Sequence, residues 1–415
     1  MFKVIGGKLI KGIAIIIFIF ASNFGYVFSL ESLHRLDLKG DTLSKKKVTN
    51  ESNVVPCLCN KDSLLDYNTA GVLKNNAKDY VQAIACFTKA LEMDSNLVSA
   101  YLNRAFAEKQ LLDYKGAIAD YNHAIELKLT WEESYEAYFN RGLTQALLSN
   151  LKGAMSNFNY AIKLNPEYAD AYFNRSIIKG RIGDYPGELA DINKAISLNP
   201  SDALAFNSRG IVKSVMGDFS GAIKDYTQAI VLDKSNSSCY FNRALVLFEL
   251  EEYLSSLNDF NMAFQINPDA EILNRRANVK CKLSDFRGAV EDYNGALKMQ
   301  PNYYMVYLNR GRLKFDLKDY NSAIEDFTLA IKIKPDFSLA YYQRGLAKGE
   351  IADYKGEIDD YTMAIEYKPN DDNAYYQRGI VKYKIGDKTG GCKDLNNAVK
   401  LGSEIAYNNL IILCK

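Results

Sequence analysis

ADAYFNRSIIKGRIGDYPGELADINKAISLNPSD, residues 169–202, decides the fold. Tyr172, Phe173, Ile177 and Ile178 recur at helical spacing until Gly183-Asp184-Tyr185 interrupts them, and Ile192, Ala195, Ile196 and Leu198 then resume the period up to Asn199-Pro200. The pattern predicts a helix, a stop and a second helix. Glycine supplies the left-handed conformation that ends the first helix, and the aspartate accepts hydrogen bonds from the first free amides of the second. Pro186 falls in a first turn, where its missing N–H costs little.

The unit recurs outward in both directions. An aromatic or apolar residue opens the block at Tyr101, Tyr138, Tyr172, Phe206, Tyr240, Leu273, Tyr307, Tyr341 and Tyr375, in steps of 37, 34, 34, 34, 33, 34, 34 and 34 residues. Asp184 has counterparts in Asp79, Asp113, Asp218, Asp285, Asp319, Asp353 and Asp387. Such a period means a solenoid of helical hairpins, which presents surfaces rather than active sites. Alanines seven residues apart in the second helices, such as Ala323 and Ala330, let neighbouring helices approach closely.

These offsets of aromatic, Gly or Ala, Gly-Asp-Tyr, Ala, aromatic, Ala and Pro resemble the tetratricopeptide-repeat family, of an exported bacterial type. The resemblance covers residues 64–405, as ten repeats starting at 64, 98, 135, 169, 203, 237, 270, 304, 338 and 372, followed by a capping helix at 406–415. It implies an all-α, right-handed superhelical solenoid of about ten hairpins whose first helices line a concave surface. It also implies a non-catalytic scaffold binding a protein or peptide, with no cofactor.

Two departures from the family pattern stand out. Arg104, Arg141, Arg175, Arg209, Arg243, Arg276, Arg310, Arg344 and Arg378 replace an aliphatic residue, and sixteen residues after most of them stands an acid: Asp120, Asp191, Asp225, Asp259, Asp292, Asp326, Asp360 or Asp394. The third repeat has Asn157 instead, and the first lacks both partners. The arginine of one helix is therefore expected to meet an aspartate of a neighbouring helix along the array. The second departure is Lys179, Lys213, Lys280, Lys314, Lys348 and Lys382, four residues after the arginines, expected to snorkel into solvent.

The resemblance places a candidate peptide groove on the first helices: Leu102, Phe106, Phe139, Leu143, Phe173, Ile177, Phe241, Leu245, Leu308, Tyr342 and Tyr376. The same row reads equally as contact between repeats. Asn103, Asn140, Asn174, Asn242 and Asn309 match the asparagine that chaperone-tail binders share, but the lysines of that carboxylate clamp are missing. Two histidines, His34 and His123, leave little for a metal site or a nucleophile triad, and there is no phosphate-binding glycine loop.

Lys3, Lys8 and Lys11 precede the apolar run Ile13–Ala21, which reads as an export signal. Val27 and Ser29 suit cleavage before Leu30, giving a signal at 1–29 and a linker at 30–63. Alternatively, residues 12–30 remain as a membrane anchor. Either way the array is expected across the inner membrane, periplasmic or at the surface, touching the membrane only through that segment if it is uncleaved. Lys plus Arg (51) balances Asp plus Glu (50), which disfavours nucleic acid as partner. Cys392 and Cys414 lie eleven residues either side of Ser403, beside the break between two terminal helices, and are expected to form a disulfide. The sequence thus reads as an exported scaffold, envelope assembly being one setting, or as an anchored spacer that makes its contacts through its ends.

Overall fold

The computed structural model describes residues 63–127 and 129–414, in two compact units ending and beginning at Asp233 and Lys234. The export segment and nearly all of the linker lie outside the described residues. The described secondary structure is entirely α-helical.

In the first unit the hairpins are α1 (Leu64–Asn76) with α2 (Tyr80–Met93), α3 (Val98–Gln110) with α4 (Tyr114–Glu126), α5 (Trp131–Leu147) with α6 (Leu151–Leu164), α7 (Ala169–Arg181) with α8 (Tyr185–Leu198), and α9 (Ala203–Val215) with α10 (Phe219–Leu232). The second unit pairs α11 (Ser237–Glu249) with α12 (Tyr253–Ile266), α13 (Ala270–Lys282) with α14 (Phe286–Met299), α15 (Tyr304–Asp316) with α16 (Tyr320–Ile333), α17 (Ser338–Glu350) with α18 (Tyr354–Tyr367), and α19 (Asp372–Lys384) with α20 (Lys388–Lys400). A last helix, α21 (Glu404–Leu413), packs on α20. The 37-residue step is explained by α5, which runs to 17 residues because Thr130 and Glu133 form a reciprocal capping box ahead of it.

Each second helix but one starts on a side-chain cap. Asp184 accepts from Gly187 N at 3.0 Å, and Asn150 does the same for Gly153 N at 3.1 Å; Glu252 makes no such bond. The residue before the cap is left-handed in every hairpin turn, but it is glycine only at Gly183, Gly217 and Gly386. Gly183 makes its turn as expected, whereas Lys78, Leu112, Ser149, Glu251, Ser284, Lys318 and Ala352 adopt φ near +60° without being glycine. Closure of the hairpin imposes this geometry, at roughly 1–2 kcal/mol for each non-glycine residue.

Each unit has a core of aromatic residues from its second helices, Tyr121, Phe158 and Tyr226 in the first and Phe260, Tyr293, Phe327 and Tyr361 in the second, all buried. They fit because the first helix is small opposite them: a Cβ on Gly311 would lie 2.7 Å from the Phe327 ring. The same complementarity explains two buried glutamates. Glu188 and Glu357 stand where most other repeats carry alanine, and glycines Gly180 and Gly349 face them.

At the C-terminus, Ala406 is buried, and Leu410 and Leu413 pack against Leu395 and Ala398 of α20. Cys392 and Cys414 are joined in a disulfide with their Cα atoms 5.7 Å apart. Ile405 and Ile411 are exposed, because α21 turns Ala406 inward.

Candidate functional site

The arginines and aspartates meet, but within one hairpin rather than along the array. Arg276 donates from Nε to Asp292 Oδ2 at 2.8 Å and from Nη2 to Oδ1 at 2.6 Å, and the same bidentate pair recurs from Arg104–Asp120 to Arg378–Asp394. Its remaining nitrogen reaches back: Arg276 Nη1 donates to Asn261 Oδ1 at 3.0 Å in the preceding helix, Arg175 Nη1 to Asn159 at 2.8 Å, and Arg344 Nη1 to Thr328 at 3.0 Å. Coupling along the array thus comes from an Asn or Thr that the sequence reading missed. Its signal was present, two residues after each acid.

The lysines do not snorkel free. Lys179, Lys213, Lys280, Lys314, Lys348 and Lys382 each place Nζ 2.8 Å from the carboxylate of their own hairpin's aspartate, adding a third donor to it. A buried carboxylate with three charge-assisted donors is architectural, and so are the arginines' positions over the opening rings, such as Arg310 over Tyr307 at 5.6 Å. Where the opening residue is Leu273, Arg276 lies instead over Phe264 of the preceding helix, at 5.1 Å. The third repeat keeps the shape without the charges. Arg141 Nε donates to Asn157 Oδ1 at 2.9 Å, and Asn157 Nδ2 donates to Gln145 at 2.8 Å. Burial pushes this arginine's pKa down.

The expected groove row is largely core. Phe139 and Leu143 belong to one buried cluster, Phe173 and Ile177 to another and Leu308 to a third, while Phe241 packs edge-on against Phe260 at 5.6 Å. Their side chains fill the space between successive hairpins, so they offer no apolar groove to solvent. Leu102, Leu245, Tyr342 and Tyr376 are half-buried, and Phe106 alone of the eleven is exposed.

What the row does offer is its exceptions. One turn beyond the opening block, most repeats have an aliphatic or aromatic residue, but the seventh and eighth carry Asn278 and Arg312. Both line a cavity of about 410 Å³ formed by α11, α13, α14 and α15, with Phe248, Phe286 and Leu313 as apolar wall and Cys281, Lys282, Asn309 and Asp316 as further polar lining. Tyr293 supplies its floor: burial holds the phenol protonated, and its hydroxyl donates to Asn278 Oδ1 at 2.6 Å. Asn278 Nδ2 is thereby left to face the cavity's contents. Asn309 gives its Nδ2 to Asn274 Oδ1 at 3.0 Å, which leaves an amide oxygen to accept. Burial raises the pKa of the Cys281 thiol, which is therefore not a ready nucleophile. The volume is that of a small-ligand or side-chain pocket.

Among the described residues, no group of three or more His, Cys, Asp or Glu side chains could hold a metal, and no helix is long and apolar enough to cross a membrane. His123 packs against Tyr101, their rings tilted and 5.5 Å apart.

A tetratricopeptide-repeat model matches residues 67–97, 98–130 and 306–337. The curated tetratricopeptide repeat protein 36 homolog of Nematostella vectensis is 40% identical over 15% of this chain and 34% of its own length. The STIP1 homolog of Dictyostelium discoideum is 32% identical over 18% of this chain and 14% of its own. The chain therefore spans well under half the length of these relatives. Among solved structures, a tetratricopeptide repeat protein from Parabacteroides merdae is similar at 16% identity, over 61% of this chain and all of that one, with a TM-score of 0.46. The chain thus carries tetratricopeptide repeats, a fold that suggests a protein-binding scaffold.

Proposed function

We propose that this chain is a non-catalytic scaffold outside the cytoplasm that binds a protein or peptide at the cavity between α11, α13, α14 and α15, in a process such as envelope assembly. The observation that carries the reading is the cavity: Asn278 and Arg312 line it at a repeat position that is apolar in the other repeats. Export is supported by the lysine-flanked run Ile13–Ala21 and by the disulfide chemistry, since Cys392–Cys414 is a bridge and Cys86 is disulfide-bonded as well.

The second reading, a spacer that makes contacts through its ends, is favoured by one observation. The terminal helix α21 exposes Ile405, Tyr407, Ile411 and Ile412, an apolar face at the end of the array.

A photoreactive amino acid placed in the full chain at position 282, 298 or 412 separates the two, with adducts collected from intact cells after fractionation. The proposal expects a discrete adduct from 282, outside the cytoplasm, and none from the exposed control at 298. An adduct from 412 alone replaces it with the spacer. Adducts confined to the cytoplasm overturn the export reading.

A further inference from the structure

We infer that the cavity receives an acidic side chain of an extended peptide, its carboxylate held by Arg312 and Lys282 and a neighbouring backbone carbonyl by Asn278. The inference rests on the scaffold reading above and deepens it. Nine other arginines of the repeats are tied to an acid or to an amide in the rungs, whereas Arg312 forms no ion pair among the described residues, although Asp316 follows one turn later. Lys282 is likewise exposed and unpaired, while its neighbour Lys280 is committed to Asp292. The charged lining is thus two cations and the single carboxylate of Asp316, a net positive wall. A carboxylate between the two cations gains charge-assisted hydrogen bonds from both.

The rest of the lining fits the remainder of a peptide. Because Tyr293 occupies the oxygen of Asn278, the amide presents a donor, and because Asn309 spends its donor on Asn274, it presents an acceptor. A donor and an acceptor on facing helices match the C=O and N–H of an extended main chain. Phe248, Phe286 and Leu313 provide contact for flanking apolar side chains.

The test uses the full chain and three capped heptapeptides with central glutamate, glutamine or lysine between phenylalanines, titrated by calorimetry at low salt. The glutamate peptide is expected to bind at least about 10-fold tighter than the glutamine peptide. Arg312→Gln, an exposed and fold-neutral change, should collapse that ratio towards one. Asn278→Ala should weaken both peptides alike, and Lys298→Ala should weaken neither. Equal binding of the glutamate and glutamine peptides overturns the inference, as do a preference for lysine, failure of all three to bind, and an unchanged ratio in Arg312→Gln. If position 282 still gives its adduct in cells while the glutamate preference is absent, the acidic ligand falls and the scaffold reading stands. Loss of the adduct removes the scaffold reading itself.

Discussion

Replacing Asp292 by alanine tests whether the rungs hold the hairpins together. Asp292 is 5% exposed and accepts three bonds, from Arg276 Nε at 2.8 Å, Arg276 Nη2 at 2.6 Å and Lys280 Nζ at 2.8 Å. Removing it leaves two cations side by side with no counter-charge. Breaking a fully buried pair costs about 3–5 kcal/mol, but roughly a sixth of each cation's surface reaches water here (16% and 17%), so the expected loss is about 2–4 kcal/mol. Urea denaturation of the full chain, followed by far-UV circular dichroism, measures it, with Lys298→Ala as an exposed control expected within about 0.5 kcal/mol. Arg276→Ala loses more than the ion pair, because the guanidinium also bonds Asn261 and lies over Phe264. The double change Asp292→Ala with Arg276→Ala should therefore cost at least about 1 kcal/mol less than the sum of the single changes. Additivity within about 0.5 kcal/mol, or an Asp292→Ala cost no larger than that of Lys298→Ala, would refute the rung as a stabilising unit.

Two further outcomes follow from the same geometry. Glu188 is buried with one oxygen unpartnered, and burial, with Asp184 adding to it, raises its pKa to about 8. The folded state therefore keeps a proton that the unfolded chain gives up near 4.5, so this group's contribution is full below 4.5 and is lost as pH rises to about 8, at up to about 1.4 kcal/mol per pH unit. Glu188→Gln should flatten that part of a stability-against-pH curve; an unchanged slope contradicts the assignment. In the third repeat, Asn157→Asp together with Gln145→Lys installs the missing charges and should raise the denaturation midpoint, by an amount worth about 1 kcal/mol, with no gain if the neutral amide network already satisfies Arg141 equally.

How much of this was legible depends on what repetition can and cannot encode. The hairpins could be read because helical spacing, caps and closing prolines are local signals, and Asp184 and Pro186 act within a single turn. The Arg–Asp pairing was legible as a spacing of sixteen, but its direction was not. In a solenoid a side chain sixteen residues ahead lies in the same hairpin and one sixteen behind in the preceding helix, and Arg310 uses both, through Asp326 and Asn294. The left-handed turns at Leu112 and Glu251 carried no local sign, because the strain is imposed by helices closing around them.

The groove misled for a related reason. An apolar side chain on a first helix satisfies the packing between repeats as well as it would a ligand, so the row containing Phe139, Phe173 and Leu308 cannot distinguish the two by residue type. A polar residue in that row is different, because packing gains nothing from it and burying it without a partner costs free energy. Asn278 is half-buried and kept there by a bond from Tyr293, and Arg312 forms no ion pair among the described residues. In an array whose consensus already accounts for stability, these exceptions are the positions where a ligand rather than a neighbouring repeat completes the interactions.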